Sequence, residues 1–420
     1  MALQTMEQAA IVLLIIALLS WLYLLLFHRS FWRASERLDT QRPSLAEWPE
    51  VVAVIPARDE AASIANALHS HAASTYHGDY RIVVVDDHSQ DGTGEIASNV
   101  ARCSKRPVVV TCPPELEEDW TGKLWALQHG LDIAANCAPN ARYVMFTDAD
   151  IVHAPDLLAR LVAKAETEEL ALISLMARLD SRGFLGSLLI PAFVFFFQKL
   201  YPFPAVNDPS SPMAAAAGGC ILMRKDVLDH NNGLASISSE LIDDCAIARM
   251  VKGLPPTRKL WLGLSSDEVI SVRDNRPFRS VLTMVTRTAF TQLDYSTWRL
   301  VATIMAMAVL YLIGPLAILL SPLHQSWWIA VTGSAIWFAT IVAYRPTLSL
   351  YGKHALFAFT LPLSACAYTL MTVISAIQHF RGQGSAWKGR SYVVQKRQNP
   401  GAIMVSQHNN SLKPYQKNPN

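Results

Sequence analysis

The chain has 420 residues, 51% hydrophobic and only 17% charged, with a formal net charge of +2. So low a charged fraction excludes a wholly soluble protein and points to membrane segments. With no basic stripe interleaved with aromatics, nothing in the chain suggests nucleic acid as a partner.

The length suits one large domain plus membrane elements. Acidic residues concentrate between about 44 and 275, whereas 300–380 carries almost no charge. Six cysteines, Cys103, Cys112, Cys137, Cys220, Cys245 and Cys366, show no zinc-like spacing and are expected as thiols in a reducing compartment.

In chain order, Gln8 to Phe27 comes first, an uncharged run long enough to cross a bilayer core of about 30 Å. A cleaved signal peptide needs basic residues before the run and a small-x-small site after it, and neither is present. Arg29, Arg33, Arg37 and Arg42 follow instead. By the positive-inside rule, residues 8–27 are an anchor with its N-terminus outside, and the next domain is cytoplasmic.

Residues 44–275 read as strand–helix alternation. Strands are expected at Val51–Pro56, Arg81–Val85, Val108–Thr111 and Tyr143–Phe146. Helices are expected over Glu60–Ala72, from Gly94, and over Gly122–Ala135. Short, continuous apolar strands between helices predict a mainly parallel sheet covered on both faces. Ligands of such sheets bind at the carboxyl ends of the strands. Phe184–Leu200 is apolar with Pro191 inside it, and is expected as an interfacial helix or else a core helix.

Residues 276–299 form an interfacial amphipathic segment, and 300–379 a membrane region. Leu300–Leu320 and Trp327–Ala343 predict a transmembrane hairpin. Ala355–Ile377 is a third apolar stretch, broken by Pro362. Three spans would leave the tail, 380–420, outside, yet its seven Lys and Arg and no acid argue for the cytoplasm. One stretch being re-entrant or interfacial would resolve that conflict.

The polar motifs fall at expected strand ends. Pro56-Ala57-Arg58-Asp59-Glu60 and Asp86-Asp87-His88-Ser89 open onto one crevice, where carboxylates can accept from a base or ribose or merely cap a turn. Asp91-Gly92-Thr93 is turn and cap chemistry. Lys123 stands at a helix N-terminus, a combination suited to a diphosphate, or is simply a solvated lysine. In a tight loop Asp148 and Asp150 can share a hydrated Mg²⁺ or Mn²⁺. Asp243 and Asp244 open a helix and offer either dipole stabilisation or a general base for a hydroxyl. Gly218 and Gly219 let backbone approach a ligand, or mark a turn.

Taken in order, V-I-P-A-R-D-E, V-V-V-D-D-H-S, G-K, D-A-D, G-G and D-D resemble glycosyltransferase family 2 over about residues 48–275. The resemblance implies a GT-A nucleotide-diphospho-sugar transferase domain, a Rossmann-like mixed α/β sheet, here flanked by transmembrane helices. With its anchor, apolar C-terminus and Trp387-Lys388-Gly389-Arg390, the layout is most similar to hopene-associated glycosyltransferases and, in plan, to ceramide glucosyltransferases.

That family implies Pro56, Ala57 and Glu60 around the base with Asp87 contacting it, Lys123 near the phosphates, Asp148 on the donor and Asp150 on the metal. It further implies Asp244 as base, Asp243 in a Glu position, and inversion at the anomeric carbon. A UDP-sugar is the expected donor, a lipid the acceptor, and a bacterial inner membrane the location. The Q-x-x-R-W motif of processive and sphingolipid-type members is reduced to Met284-Val-Thr-Arg287-Thr288, which argues against a polymerase. Arg287 is left to contact the diphosphate or lipid headgroups.

Other classes compete. A nucleotidyltransferase also uses acids and metal but usually has a glycine-rich loop after its first strand, and Pro56–Glu60 has no glycine. A transporter usually carries ionisable residues inside its spans.

Overall fold

The computed structural model describes residues 2–39, 44–230, 232–255, 258–324 and 326–382, and the backbone of a short antiparallel pair, Ala386–Trp387 with Arg390–Ser391. The rest of the expected basic tail, together with Arg42 and Gln325, lies outside the described residues.

The strands are β1 (Val51–Ala57), β2 (Tyr80–Asp86), β3 (Val108–Thr111), β4 (Tyr143–Phe146), β5 (Ile151–His153), β6 (Leu170–Met176), β7 (Ile221–Arg224), β8 (Lys259–Leu264) and β9 (Val269–Ser271). Seven form one mixed sheet in the order β3-β2-β1-β4-β7-β6-β8, and β5 pairs with β9 apart from it. β1 runs parallel to β2 and β4, while β7 is antiparallel to both β4 and β6. β1 is buried along its whole length, because both faces of the sheet are covered.

The helices of the domain are α1 (Ala2–Leu26), which leads into it, then α2 (Ile64–Ala72), α3 (Thr93–Cys103), α4 (Gly122–Cys137), α5 (Leu157–Thr167), α6 (Gly183–Leu200), α7 (Phe203–Asn207) and α8 (Asp243–Lys252). There follow α9 (Phe278–Thr286), α10 (Thr297–Tyr311), α11 (Ile313–Leu319), α12 (Ser321–His324), α13 (Trp327–Leu350) and α14 (Leu361–Phe380). The helix expected from Glu60 begins only at Ile64. Asp59 is left-handed (φ 49°), and Ser63 and Ile64 donate their N–H groups to the Glu60 carbonyl in a turn.

Several helices are long and apolar enough to cross a bilayer: α1 over Gln8–Leu26, α6, α13, and the stretch Ala355–Phe380. The first stretch of the expected hairpin is bent, α10 and α11 meeting at 47°. Pro315, one turn beyond Tyr311, supplies the cause, since it cannot donate an N–H and clashes with the preceding turn. Pro362 does not break its stretch but stands in the first turn of α14, where a missing N–H costs nothing.

Connectivity restrains α6. It follows β6 after seven residues, and soon after it ends Asn207 is locked to β8, donating to the Leu262 carbonyl (3.1 Å) and accepting from the Leu262 N–H (2.7 Å). Both ends of α6 are therefore held at the sheet, and the helix lies alongside the domain. α14 rests on it: Ser364 Oγ donates to Leu188 O and Tyr368 Oη to Leu189 O, each at 2.9 Å. Farther along, Ser375 Oγ donates to Thr286 O of α9 at 2.6 Å.

One apolar cluster runs from Val54, Val85 and Phe146 through Leu127 of α4 to Phe195, Tyr344 and Tyr368. A second, including Ile55, Ile64, Ala97 and Leu161, fills the opposite face. Gly130 of α4 lets that helix approach the sheet. A Cβ there would sit 3.0 Å from Val85 Cγ2 and closer still to Val54. Gly130→Ala is therefore expected to destabilise the protein by about 1–2 kcal/mol, overpacking outweighing alanine's preference for helix of about 1 kcal/mol. A lowered thermal midpoint in detergent checks this, and a raised one counts against the close approach.

Candidate active site

In the parallel part of the sheet β1, β2 and β4 end side by side, with Ala57 opposite Asp86 and Val54 opposite Phe146. The loops after them are laced together. Asp59 N–H donates to Ser89 Oγ (2.9 Å), Gln90 N–H to Asp59 Oδ1 (2.8 Å), and Glu60 N–H to Thr93 Oγ1 (2.8 Å). Asp91 does turn and cap work, accepting from the N–H groups of Thr93 and Ala61.

A small cleft of about 210 Å³, open to solvent, lies at these ends. It is lined by Pro56, Lys123, Asp148, Gly218, Asp243 and their apolar neighbours. Lys123, in the first turn of α4, crosses it with Nζ 2.8 Å from Asp148 Oδ1 and 2.9 Å from Asp243 Oδ2. Burial disfavours its charge, but the two carboxylates outweigh that and hold its pKa above the usual lysine range.

Asp244 faces differently. Its Oδ2 accepts from Gly218 N–H (3.0 Å) and its Oδ1 from Cys245 N–H (2.7 Å). Burial first, then the charge of Asp243, pushes its carboxyl up to about 6.

A second cluster adjoins the first. Asp150 Oδ2 accepts from Ser271 Oγ (2.9 Å) and Arg273 Nε (3.1 Å), and Arg273 Nη2 donates to Glu60 Oε1 (3.0 Å). Desolvation raises the Asp150 pKa above the usual carboxylate range, Arg273 opposing it. Asp148 and Asp150 thus point to different cations, because the chain turns at Ala149 and Asp150, whereas an extended chain would put the two acids on one face.

Several expected placements change. Ala57 is fully buried in the core rather than bordering an open base site. The Asp87 side chain is also fully buried, beneath Arg58, whose Nη1 lies 3.3 Å from Asp87 Oδ2 and 2.6 Å from the Asp87 carbonyl. Gly219 turns its Cα toward Ile151 and Ala177, and it is Gly218 that faces Lys123 and Asp244. Arg287 is exposed at the end of α9 and does not line the cleft.

Arg58, Ser271 and Arg273 were not anticipated. Arg58 lay inside a motif already singled out. The other two carried no signal, because only the pairing of β5 with β9 brings Ser271 opposite Ile151.

Five carboxylates, Glu60, Asp148, Asp150, Asp243 and Asp244, thus adjoin two cations, Lys123 and Arg273. Hard oxygen donors in formal excess fit a divalent cation such as Mg²⁺ or Mn²⁺. No three acidic, His or Cys side chains among the described residues form a ready-made cage, so donor phosphates would have to complete the coordination.

Residues 52–231 match the model of the family described as glycosyl transferase family 2, so the chain carries a glycosyltransferase family 2 domain. The seven-stranded mixed sheet is GT-A-like, with apolar helices at both its N- and C-terminal sides. No curated protein sequence matches the chain.

Among solved structures, it is similar to the mannosyltransferase PcManGT from Pyrobaculum calidifontis, bound to GDP-Man and Mn²⁺ (16% identity, TM-score 0.49, 87% of this chain and 99% of that one). It is also similar to S. aureus TarS bound to UDP (15%, 0.36, 80% and 92%). A third is Mycobacterium tuberculosis glucosyl-3-phosphoglycerate synthase bound to Mn²⁺, UDP-glucose and glycerol 3-phosphate (19%, 0.36, 61% and 87%).

Lys123→Ala leaves Asp148 and Asp243 facing each other without their shared cation. The expected cost is about 1–3 kcal/mol, below that of a fully buried pair because the site is partly exposed. Salt screens the repulsion left between the two acids, so the loss is smaller at high ionic strength. Thermal melts of both proteins at low and high salt test this, and a salt-independent loss would refute the charge explanation.

Proposed function

We propose that this chain, through its glycosyltransferase family 2 domain, transfers a single sugar with inversion from a nucleotide-diphosphate donor to a membrane lipid. The observation that carries the reading is the convergence of Lys123, Asp148, Asp150, Asp243 and Asp244 at the carboxyl ends of parallel strands, where such sheets bind ligands. A UDP-sugar is the donor favoured, and hopanoids and other isoprenoid or glycerolipids are the acceptor classes.

In this reading Pro56 and Glu60 border the nucleotide, and Asp87, held by Arg58, supports the base site. Asp148 and Asp150 would hold Mg²⁺ or Mn²⁺, which would supply charge neutralisation on the leaving diphosphate. Lys123 turns from the carboxylates to the diphosphate. Asp244 takes the proton of the acceptor hydroxyl as it attacks the anomeric carbon, and the bond to the diphosphate oxygen breaks on the opposite face.

Close packing between the candidate base and the apolar helices supports a lipid acceptor. Cys245, next to Asp244, lies against Tyr201 at the end of α6, and Gln292, just before α10, donates to Tyr201 Oη at 2.6 Å. Release of nucleoside diphosphate across UDP- and GDP-sugars, with extracted membrane lipids and Mg²⁺ or Mn²⁺, tests the activity. Release of pyrophosphate would favour a nucleotidyltransferase instead.

For the orientation, we infer that Arg29, Arg33 and Arg37 keep the domain cytoplasmic, in an inner membrane. On this reading α1 crosses, α10–α11 and α13 cross and return, and α6 and α14 lie in the interface beside the domain. The tail then ends in the cytoplasm, as its charge requires. A cysteine at Ser321→Cys is expected to react with an impermeant maleimide in intact cells, and one at Ser411→Cys only after permeabilisation. Labelling at 411 from outside would overturn this topology.

The base must be ionised, and its pKa is raised to about 6, so turnover is expected to be full above that pH and to fall as pH drops through it. Asp243→Asn removes the neighbouring negative charge and should move the acid limb to lower pH. Asp244→Asn should lower kcat by about 10²-fold or more and abolish the limb. An unchanged pH profile in Asp244→Asn would assign the base elsewhere.

A further inference from the structure

Arg273 has no place in the transfer described above, yet it joins two parts of the site. Its Nε donates to Asp150 Oδ2 (3.1 Å) and its Nη2 to Glu60 Oε1 (3.0 Å), bridging the loops after β1 and β4. Ser271 Oγ donates to the same Asp150 oxygen (2.9 Å), and Val272 N–H to the Asp150 carbonyl (2.8 Å). The segment after β9 therefore wraps Asp150 with both backbone and side chain.

The two partners of this bridge are unequally accessible. The Asp150 side chain is 10% exposed and that of Arg273 is 43% exposed. The carboxylate is fixed, while the guanidinium sits on the solvent side on a long, flexible stem. The strand just before it is fastened independently, because Ser271 N–H donates to the Arg178 carbonyl (3.0 Å). The arginine head can therefore swing away without the strand pairing coming apart.

A divalent ion held by Asp150 and a guanidinium on the same oxygen would stand within a few ångströms of each other. Like charges at that range repel strongly in a partly desolvated site. We propose that Arg273 is a positioning residue that acts as an internal counter-cation, competing with the divalent ion for Asp150 and Glu60 and leaving them when donor and metal load. This rests on the assignment of Asp150 to the metal in the proposed function.

The position of Arg273 in the chain gives the exchange a consequence. Beyond it, Asp274 to Pro277 lead directly into α9, and Asn275 is buried, its Oδ1 accepting from Ser280 Oγ (3.2 Å) of that helix. α9 in turn carries Thr286, the partner of Ser375 on α14. Release of Arg273 thus removes the side-chain link between the donor site and the segment leading to α9, while the backbone bonds of that segment stay in place.

A merely structural ion pair would contribute stability and leave cation affinity untouched. The test is Mn²⁺ binding by the full-length protein in detergent, followed by electron paramagnetic resonance without nucleotide. Arg273→Gln is expected to bind Mn²⁺ at least about tenfold tighter than wild type. Arg273→Lys, which keeps the charge but cannot bridge both acids, should fall between them. Arg276→Gln, whose arginine pairs with exposed Asp274, should match wild type.

Equal or weaker Mn²⁺ binding in Arg273→Gln, with its thermal transition retained, overturns the proposal. Should that variant fail to fold, Arg273→Lys decides, and wild-type affinity there overturns the proposal equally. Asp150→Asn separates the two readings. If it loses Mn²⁺ while the Arg273 variants gain nothing, only the role of Arg273 falls. If it binds Mn²⁺ as wild type does, the metal assignment falls and the proposal with it.

Discussion

The structure depends on one electrostatic constraint: five carboxylates, Glu60, Asp148, Asp150, Asp243 and Asp244, are gathered around one cleft and share two cations, Lys123 and Arg273. Carboxylates at such close quarters repel, and burial removes the water that would screen them. The arrangement persists because each acid has a particular answer. Lys123 is shared by Asp148 and Asp243, Arg273 by Asp150 and Glu60, and Asp244 accepts from two backbone N–H groups. Apart from the Cys245 N–H next to Asp244, these answers use groups from distant parts of the chain. The sheet order that brings β4 beside β1 and β7, and the pairing of β5 with β9, are thereby tied to the chemistry of the site.

The long apolar helices are built into the same unit. The apolar cluster on one face of the sheet continues without interruption through α4 and α6 to Tyr344 and Tyr368. The domain is therefore packed onto its helices rather than tethered to them. Two of the apolar helices, α6 and α14, lie against the domain because their ends or middles are hydrogen-bonded to parts of it. Hydropathy records that such a helix avoids water. It does not record direction, and here connectivity supplies that.

How much of this was legible in the sequence differs by element. β1, β3 and β4 could be read closely, since β-branched and apolar runs bounded by polar turns leave few alternatives. Asp148 could be read because it closely follows β4, and Lys123 and Asp243 because each stands in the first turn of a helix. Gly218 and Gly219 could not be told apart, because the facing of one residue depends on the exact exit angle before β7. Ala57 and Asp87 were read as open to a ligand because the ends of strands usually are; one more residue of pairing in β1, and Arg58 folding over Asp87, buried both. Arg273 could not be found at all, since it lies 123 residues from Asp150 along the chain and only tertiary pairing joins them.

The two cations of the site differ in what they can do next. Lys123 sits in the first turn of α4, where the free N–H groups already favour an anion, so moving to a diphosphate keeps it in place and merely exchanges its partners. Arg273 has no such alternative beside the strand ends, and its exposed head can turn to solvent. On the proposed reading, a negatively charged donor arriving with a divalent ion would add phosphate charge for Lys123 and positive charge against Arg273. The same event therefore strengthens the hold of one cation and weakens that of the other. An asymmetry of this kind, set by which cation stands on a helix N-terminus and which on a loop, makes donor loading and the departure of the Arg273 head from the acids, as proposed, parts of a single charge balance.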